Sequence, residues 1–256
     1  MGLVKRQKVA ASVSDFNANL SVMGAFQIVE DVVTEYMGDL KIDGVTSKKL
    51  YNAVWVFAKT KIKFLDSIAW NSEYTVTAFI SKISAVTINI DVGIKNTSNE
   101  LCVYSRIELC ALDTNSGRIR KVSTVGVNDS ITTENPLLDI SFTKKMCAED
   151  LPIFEQVKVR FTNIDYVIHT NNKEYIRFLL NTYSVEDIRR KPIREMEIVY
   201  VNQSFENDIL TIKHGNFDDK DIFVIQKEDK VIVKCEVLRE FCTPAQASDN
   251  TNNLQS

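Results

Sequence analysis

The chain has 256 residues, 45% of them hydrophobic and 25% charged, with a formal net charge of −3 and a pI near 5.6. That is enough apolar material for one large core or two smaller ones of about 100 to 150 residues each, and the acidic balance argues against a surface built throughout for nucleic acid or anionic membrane. Five cysteines, at 102, 110, 147, 235 and 242, are odd in number, lie far apart and form no CxxC pair; they support neither a disulfide framework nor a zinc site and suit a reducing cytoplasm.

The opening MGLVKRQKVAAS is basic but lacks the apolar core of a signal peptide, and Arg6 stands where a myristoylation motif wants Ser or Thr. No run approaches the roughly 18 apolar residues of a membrane span, so a soluble, unanchored, cytoplasmic chain is expected. Val22, Phe26, Val29, Val33 and Tyr36 then recur at helical spacing, with Ala25, Ile28 and Val32 on the flank, which predicts a helix buried on most sides. KTKIKFL (59–65), YTVTAFI (74–80), VTINIDVGI (86–94) and LCVYSRIELCAL (101–112) alternate apolar and polar residues between the turn clusters NTSNE and DTNSG, as half-buried antiparallel strands do. Residues 123–155 are less periodic and hold Gly126, Pro136 and Pro152, a natural crossover.

The pattern then repeats. Tyr175, Phe178, Leu179 and Leu180 mark a second buried helix, with Asn171 and Glu174 spaced as a capping box. EIVYVNQS (197–204), DILTIKH, DIFVIQ and KVIVKCEVLREF read as four more strands, and TPAQASDNTNNLQS as a mobile polar tail. Writing VAASVSDFNANL, from Val9, above VRFTNIDYVIHT, from Val159, aligns Asp15 with Asp165, an offset of 165 minus 15, or 150. Helix then antiparallel sheet, twice, predicts α+β architecture with two tandem hotdog domains, each a long central helix wrapped by an antiparallel β-sheet. The expected boundaries are 1–126 for the first domain, 127–155 for the crossover linker, 156–243 for the second domain and 244–256 for a disordered tail.

The stretch IDYVIHTNNKEYIRF (164–178) resembles a motif of the acyl-acyl-carrier-protein thioesterases, double-hotdog enzymes that release free fatty acids. Their pattern Asp-x-Asn-x-His-x-Asn-Asn-x-x-Tyr is matched by Asp165, His169, Asn171, Asn172 and Tyr175. The segments WVFAKTKIKFLDSIAWNSEYTVTAF (55–79) and ELCVYSRIELCALDTNSGRIRKV (100–122) are similar to first-domain strands of that family. The chain departs from it at two places: Val167 stands where the family has a catalytic asparagine, and Gln203 where it has a catalytic glutamate, with Ser204 in the place of the adjoining cysteine.

The resemblance implies hydrolysis of fatty acyl-acyl-carrier-protein thioesters without cofactor or metal, slowed by Val167 and Gln203. The alternative is a non-hydrolytic or weakly active acyl-thioester binding protein of the same fold. The implied partner is the acyl carrier protein, met by the basic runs RIRK (118–121) and RRKPIR (189–194); a homodimer stays open, and neither nucleic acid nor membrane is expected. His169 is expected as general base or as the group that positions the thioester oxygen, Asp165 as the residue that orients the imidazole or the helix entrance, and Gln203 as a water ligand. Asn171 and Asn172 suit helix caps, next to backbone N–H groups able to hold an oxyanion. The apolar helix of the first domain is core first and acyl tunnel second. Cys110 and Cys235 are expected as inert, partly buried thiols, and His214 as a solvated side chain without a partner.

Overall fold

The computed structural model describes residues 2–144, 146, 150–217 and 220–241. In the first half, β1 (Leu3–Lys8) leads through a 3-10 turn to α1 (Val22–Asp39) and α2 (Gly44–Tyr51), followed by β2 (Ala53–Phe64), β3 (Glu73–Ile83), β4 (Thr87–Lys95) and β5 (Leu101–Asp113). The second half has the same order: β6 (Ile153–Lys158), α3 (Asn172–Leu180), α4 (Val185–Arg190), β7 (Ile193–Tyr200), β8 (Ile209–Phe217), β9 (Lys220–Lys227) and β10 (Lys230–Arg239). All ten strands belong to one sheet, ordered β1-β3-β4-β5-β2-β7-β10-β9-β8-β6, so the halves mirror each other about the β2–β7 pair.

That central pair is antiparallel from Lys59 opposite Val199 to Lys63 opposite Glu195. Lys61 Nζ bridges Glu195 at 2.8 Å and Glu197 at 3.0 Å, and the N–H of Thr143, in the crossover, donates to Glu197 Oε1 at 2.7 Å. The crossover thus returns over the outer face of the sheet. It is fixed again at Arg106, which binds the buried Asp91 carboxylate through Nε (2.8 Å) and Nη2 (2.7 Å) while Nη1 donates to Ile140 O. Tyr104 and Ser81 hydroxyls complete the shell of Asp91, as a charge removed from water requires.

Helix α1 begins at Ser21, whose Oγ accepts the Gly24 N–H at 2.8 Å, and it buries Phe26, Val29, Val33 and Met37 along one side. It packs on β3 and β4 of its own half and on α3 of the other. Residues of both central helices and both halves of the sheet share one hydrophobic core. Gly24 is needed for this seating: a Cβ there would lie 2.4 Å from Val13 O, against the 3-10 turn that precedes α1. Helix α3 has 9 residues against 18 in α1.

Three expectations need correction, and four elements were not read at all. Strands β1 and β6 and helices α2 and α4 carry too little apolar periodicity to be read from sequence, because β1 and β6 are sheet edges with mostly exposed side chains and α2 and α4 bury almost nothing. The strand read as EIVYVNQS stops at Tyr200, and residues 201–208 form a loop. The capping box at α3 does not form: Asn171 Oδ1 accepts the Lys173 N–H at 3.1 Å, but the Asn171 N–H goes to Asn163 O, and Glu174 instead takes the Asn163 amide at 2.9 Å.

His214 is not a lone solvated side chain. Its ring stacks on Phe223 at 4.3 Å and its Nε2 lies 3.1 Å from Asp221 Oδ1. Burial alone would raise the Asp221 pKa, but hydrogen bonds from His214, Asn216, Arg239 and Tyr183 outweigh it and hold the carboxyl well below its usual range. Cys102, Cys110 and Cys235 are free, buried thiols, and burial raises the pKa of each; Cys147, Cys242 and the tail from 244 lie outside the described residues.

Candidate functional site

The site is built on the turn that leads into α3. The Asp165 carboxylate accepts the N–H groups of Val167 (3.0 Å) and His169 (3.2 Å), and the Asp165 N–H donates to His169 O at 2.9 Å. Asp15 does the same in the first half, with Asn17 at 2.8 Å and Asn19 at 3.0 Å. Both turns place their fourth residue in the left-handed region, Ala18 at φ 56° and Ile168 at φ 65°. A β-branched residue is rarely tolerated there, and Ile168 is largely exposed. Asp165 is therefore a turn-former in a repeated motif that acts on the histidine's backbone.

Below the turn, the loop 201–208 docks through Ser204. Its Oγ lies 2.7 Å from Thr170 Oγ1 and 2.8 Å from the Tyr175 hydroxyl, its N–H donates to that hydroxyl at 3.1 Å, and its carbonyl accepts the Thr170 N–H at 2.9 Å. Ser204 is fully buried. The loop thereby holds Gln203 beside the start of α3 with its side chain exposed, and sets Phe205 edge-on against the His169 ring at 5.1 Å. The His169 imidazole makes no hydrogen bond among the described residues and is only partly covered, so it is free to meet a ligand.

The first turn of α3 supplies the electropositive group. Asn171 caps the Lys173 N–H, while the Asn172 N–H carries no hydrogen bond to any described residue. A free amide at a helix start, backed by the helix dipole, is suited to a developing oxyanion. The structure thus holds Asp165, His169, Asn171 and Asn172 in one segment at the start of α3, while Gln203, next to the docked Ser204, is exposed and makes no side-chain hydrogen bond to them among the described residues.

Two models of one family cover the chain in succession: the acyl-ACP thioesterase N-terminal domain matches residues 4–128 and the acyl-ACP thioesterase C-terminal domain matches residues 148–240. The chain belongs to the acyl-ACP thioesterase family. Solved acyl-ACP thioesterases share its double-hotdog fold. One from Bacteroides thetaiotaomicron is 15% identical, covers 93% of this chain and 98% of its own, and superimposes with a TM-score of 0.81. The 12:0-ACP thioesterase from Umbellularia californica is 10% identical, with 94% and 98% covered and a TM-score of 0.85. A search of curated proteins gave no significant match. No helix among the described residues is long and apolar enough to cross a membrane.

Sequence reasoning passed over Glu30, on α1, and Tyr200, at the end of β7. The signal for Glu30 was a carboxylate four residues after Phe26 and three before Val33, on the stripe that should have been wholly apolar. Tyr200 offered none beyond its place in an alternating strand.

Proposed function

We propose that this acyl-ACP thioesterase family member hydrolyses fatty acyl thioesters of an acyl carrier protein to free fatty acid and carrier thiol, in a reducing cytoplasm. The observation that carries this reading is the Asn172 N–H at the start of α3, without a hydrogen bond to any described residue, with the His169 imidazole, likewise unpaired, on the turn just before it. The thioester carbonyl oxygen sits against the helix N-terminus, where negative charge develops during attack, and His169 donates to the thioester and holds it in line. Asp165 and Asn171 fix the backbone on either side of His169. Gln203 can hold a water by hydrogen bond but cannot take its proton.

The first half (1–126) receives the acyl chain against the apolar surface of α1, the second (156–243) carries the chemistry, and residues 127–155 link them. Basic residues at 118–121 and 189–194 meet the acidic carrier protein, since complementary patches speed encounter. A second reading, an acyl-thioester binding protein that does not hydrolyse, is favoured by the missing carboxylate at Gln203. Thiol release from a panel of acyl carrier protein and coenzyme A thioesters separates the two: turnover supports the hydrolase, and tight binding without release supports the binding protein.

A further inference from the structure

Hydrolysis at this site needs a proton acceptor, and the second half offers an amide at Gln203 where one would stand. Helix α1 offers a carboxylate. Glu30 lies on the core-facing side of α1 between the buried Phe26 and Val33, is only partly covered, and makes no side-chain hydrogen bond or close ion pair among the described residues. Helix α1 packs on α3. The charges near enough to act on Glu30 are Lys173, Asp165 and Glu174, in the first turn of α3 and the turn before it, and Asp31 beside it on α1.

A second unpartnered group lies within electrostatic reach of it. The Tyr200 hydroxyl is buried and has no hydrogen-bond partner of ordinary geometry among the described residues, and Glu30 is the first charge acting on it. Thr60 of β2 is close by, and the Tyr200 ring lies 6.4 Å from that of Tyr175, which is bound to Ser204 of the docked loop. A buried hydroxyl without a partner is costly unless a water or ligand serves it.

The repeat gives the contrast. At the offset of 150, Glu30 corresponds to Leu180 (180 minus 150 is 30) and His169 to Asn19. The N-terminus of α3 thus follows a histidine and belongs to a helix packed on one that carries a carboxylate, whereas the equivalent positions for α1 are Asn19 and Leu180.

We propose that Glu30, reaching across from the first half, is the general base that activates water at the N-terminus of α3, with the Tyr200 hydroxyl positioning that water. Glu30 takes one proton as the water oxygen bonds to the thioester carbon, and the carbonyl electron pair moves onto the oxygen held by the Asn172 N–H. Collapse of this tetrahedral species re-forms the carbonyl and breaks the C–S bond, and the departing sulfur takes the proton back from Glu30. One thioester and one water give one carboxylic acid and one thiol. Burial pushes the Glu30 carboxyl up to about 7, Lys173 opposes this, and Asp31, Asp165 and Glu174 add to it; a base near the working pH is the effective one.

This inference rests on the hydrolase reading. The test is single-turnover thiol release by the full chain from dodecanoyl and hexadecanoyl acyl carrier protein, across pH, for wild type, E30Q, E30D and Y200F. Expected are a wild-type rate that rises through about pH 7 and then levels, a fall of about a hundredfold or more with loss of that inflection in E30Q, a smaller fall with the inflection kept in E30D, and about a tenfold fall in Y200F. Wild type that hydrolyses while E30Q stays within about threefold of it and keeps the inflection overturns the role of Glu30 and leaves the hydrolase standing. Wild type that binds these substrates without releasing thiol overturns both. If E30Q does not fold, an E30D rate and profile equal to wild type overturns the proposal.

Discussion

Asp165 holds His169 by its backbone: the carboxylate Oδ1 accepts the His169 N–H at 3.2 Å and the Val167 N–H at 3.0 Å. The two residues should therefore fail in different ways. His169→Ala should lower turnover by about a hundredfold or more with an unchanged melting temperature, since the imidazole makes no hydrogen bond among the described residues. Asp165→Ala should lower both, costing about 1 to 2 kcal/mol as two turn amides lose their acceptor. Asp165→Asn, which keeps one carbonyl oxygen, should be milder. Parallel melting curves and rates check the three variants.

Ser204 is a second point of leverage, because one hydroxyl joins the loop to both Thr170 and Tyr175. Ser204→Ala leaves those buried hydroxyls short of a partner and should cost about 1 to 3 kcal/mol. The effects of S204A and Tyr175→Phe should be non-additive, the double variant being less destabilised than the two singles together. Denaturant midpoints of the four proteins measure that coupling.

Position 24 offers no room for altering acyl-chain selectivity. Since a Cβ on Gly24 would meet Val13 O at 2.4 Å, Gly24→Leu should unseat α1 from the preceding turn and lower the melting temperature. The chain-length profile of whatever protein remains folded should match wild type. Changes at the fully buried Ala25 are the sharper probe of an acyl tunnel in the first half.

Glu30 sets a pH dependence of stability whose sign follows from its raised carboxyl. The contribution is favourable below the usual value of 4.5, where the group is protonated in folded and unfolded chains alike, and it is lost as pH rises through about 7, where the folded protein must hold a charge that desolvation disfavours. E30Q, neutral throughout, should gain on wild type across that interval by at most about 3 kcal/mol. Asp221 runs the other way: its lowered carboxyl stabilises at neutral pH and the effect is lost in acid. Unfolding free energies of wild type, E30Q and Asp221→Asn between acid and mildly alkaline pH check both.

Much of the fold was written in periodicity. Strands β2 to β5 and β8 to β10 alternate because each lays one face on the core shared with the central helices, and α1 shows its burial in an almost unbroken apolar surface. The edges β1 and β6 were hidden because a strand paired on one side with most side chains in water needs no apolar alternation. At the site, Asp165, His169, Asn171 and Asn172 were legible because they follow one another in sequence. Glu30 and Tyr200 were not, because they are brought within reach of each other by the packing of α1 on α3 and by the pairing of β2 with β7, which no local pattern encodes.

The β2–β7 pairing, with Lys61 set between Glu195 and Glu197, joins two like halves as a dimer interface joins two subunits. A true homodimer must express every substitution twice, once in each copy, so an acid introduced to serve one site also burdens the other. Here the halves are separate stretches of a single chain, and each can change without its counterpart. Position 180 can keep leucine while position 30 carries glutamate, and the site relieved of chemistry is free to become wholly hydrocarbon.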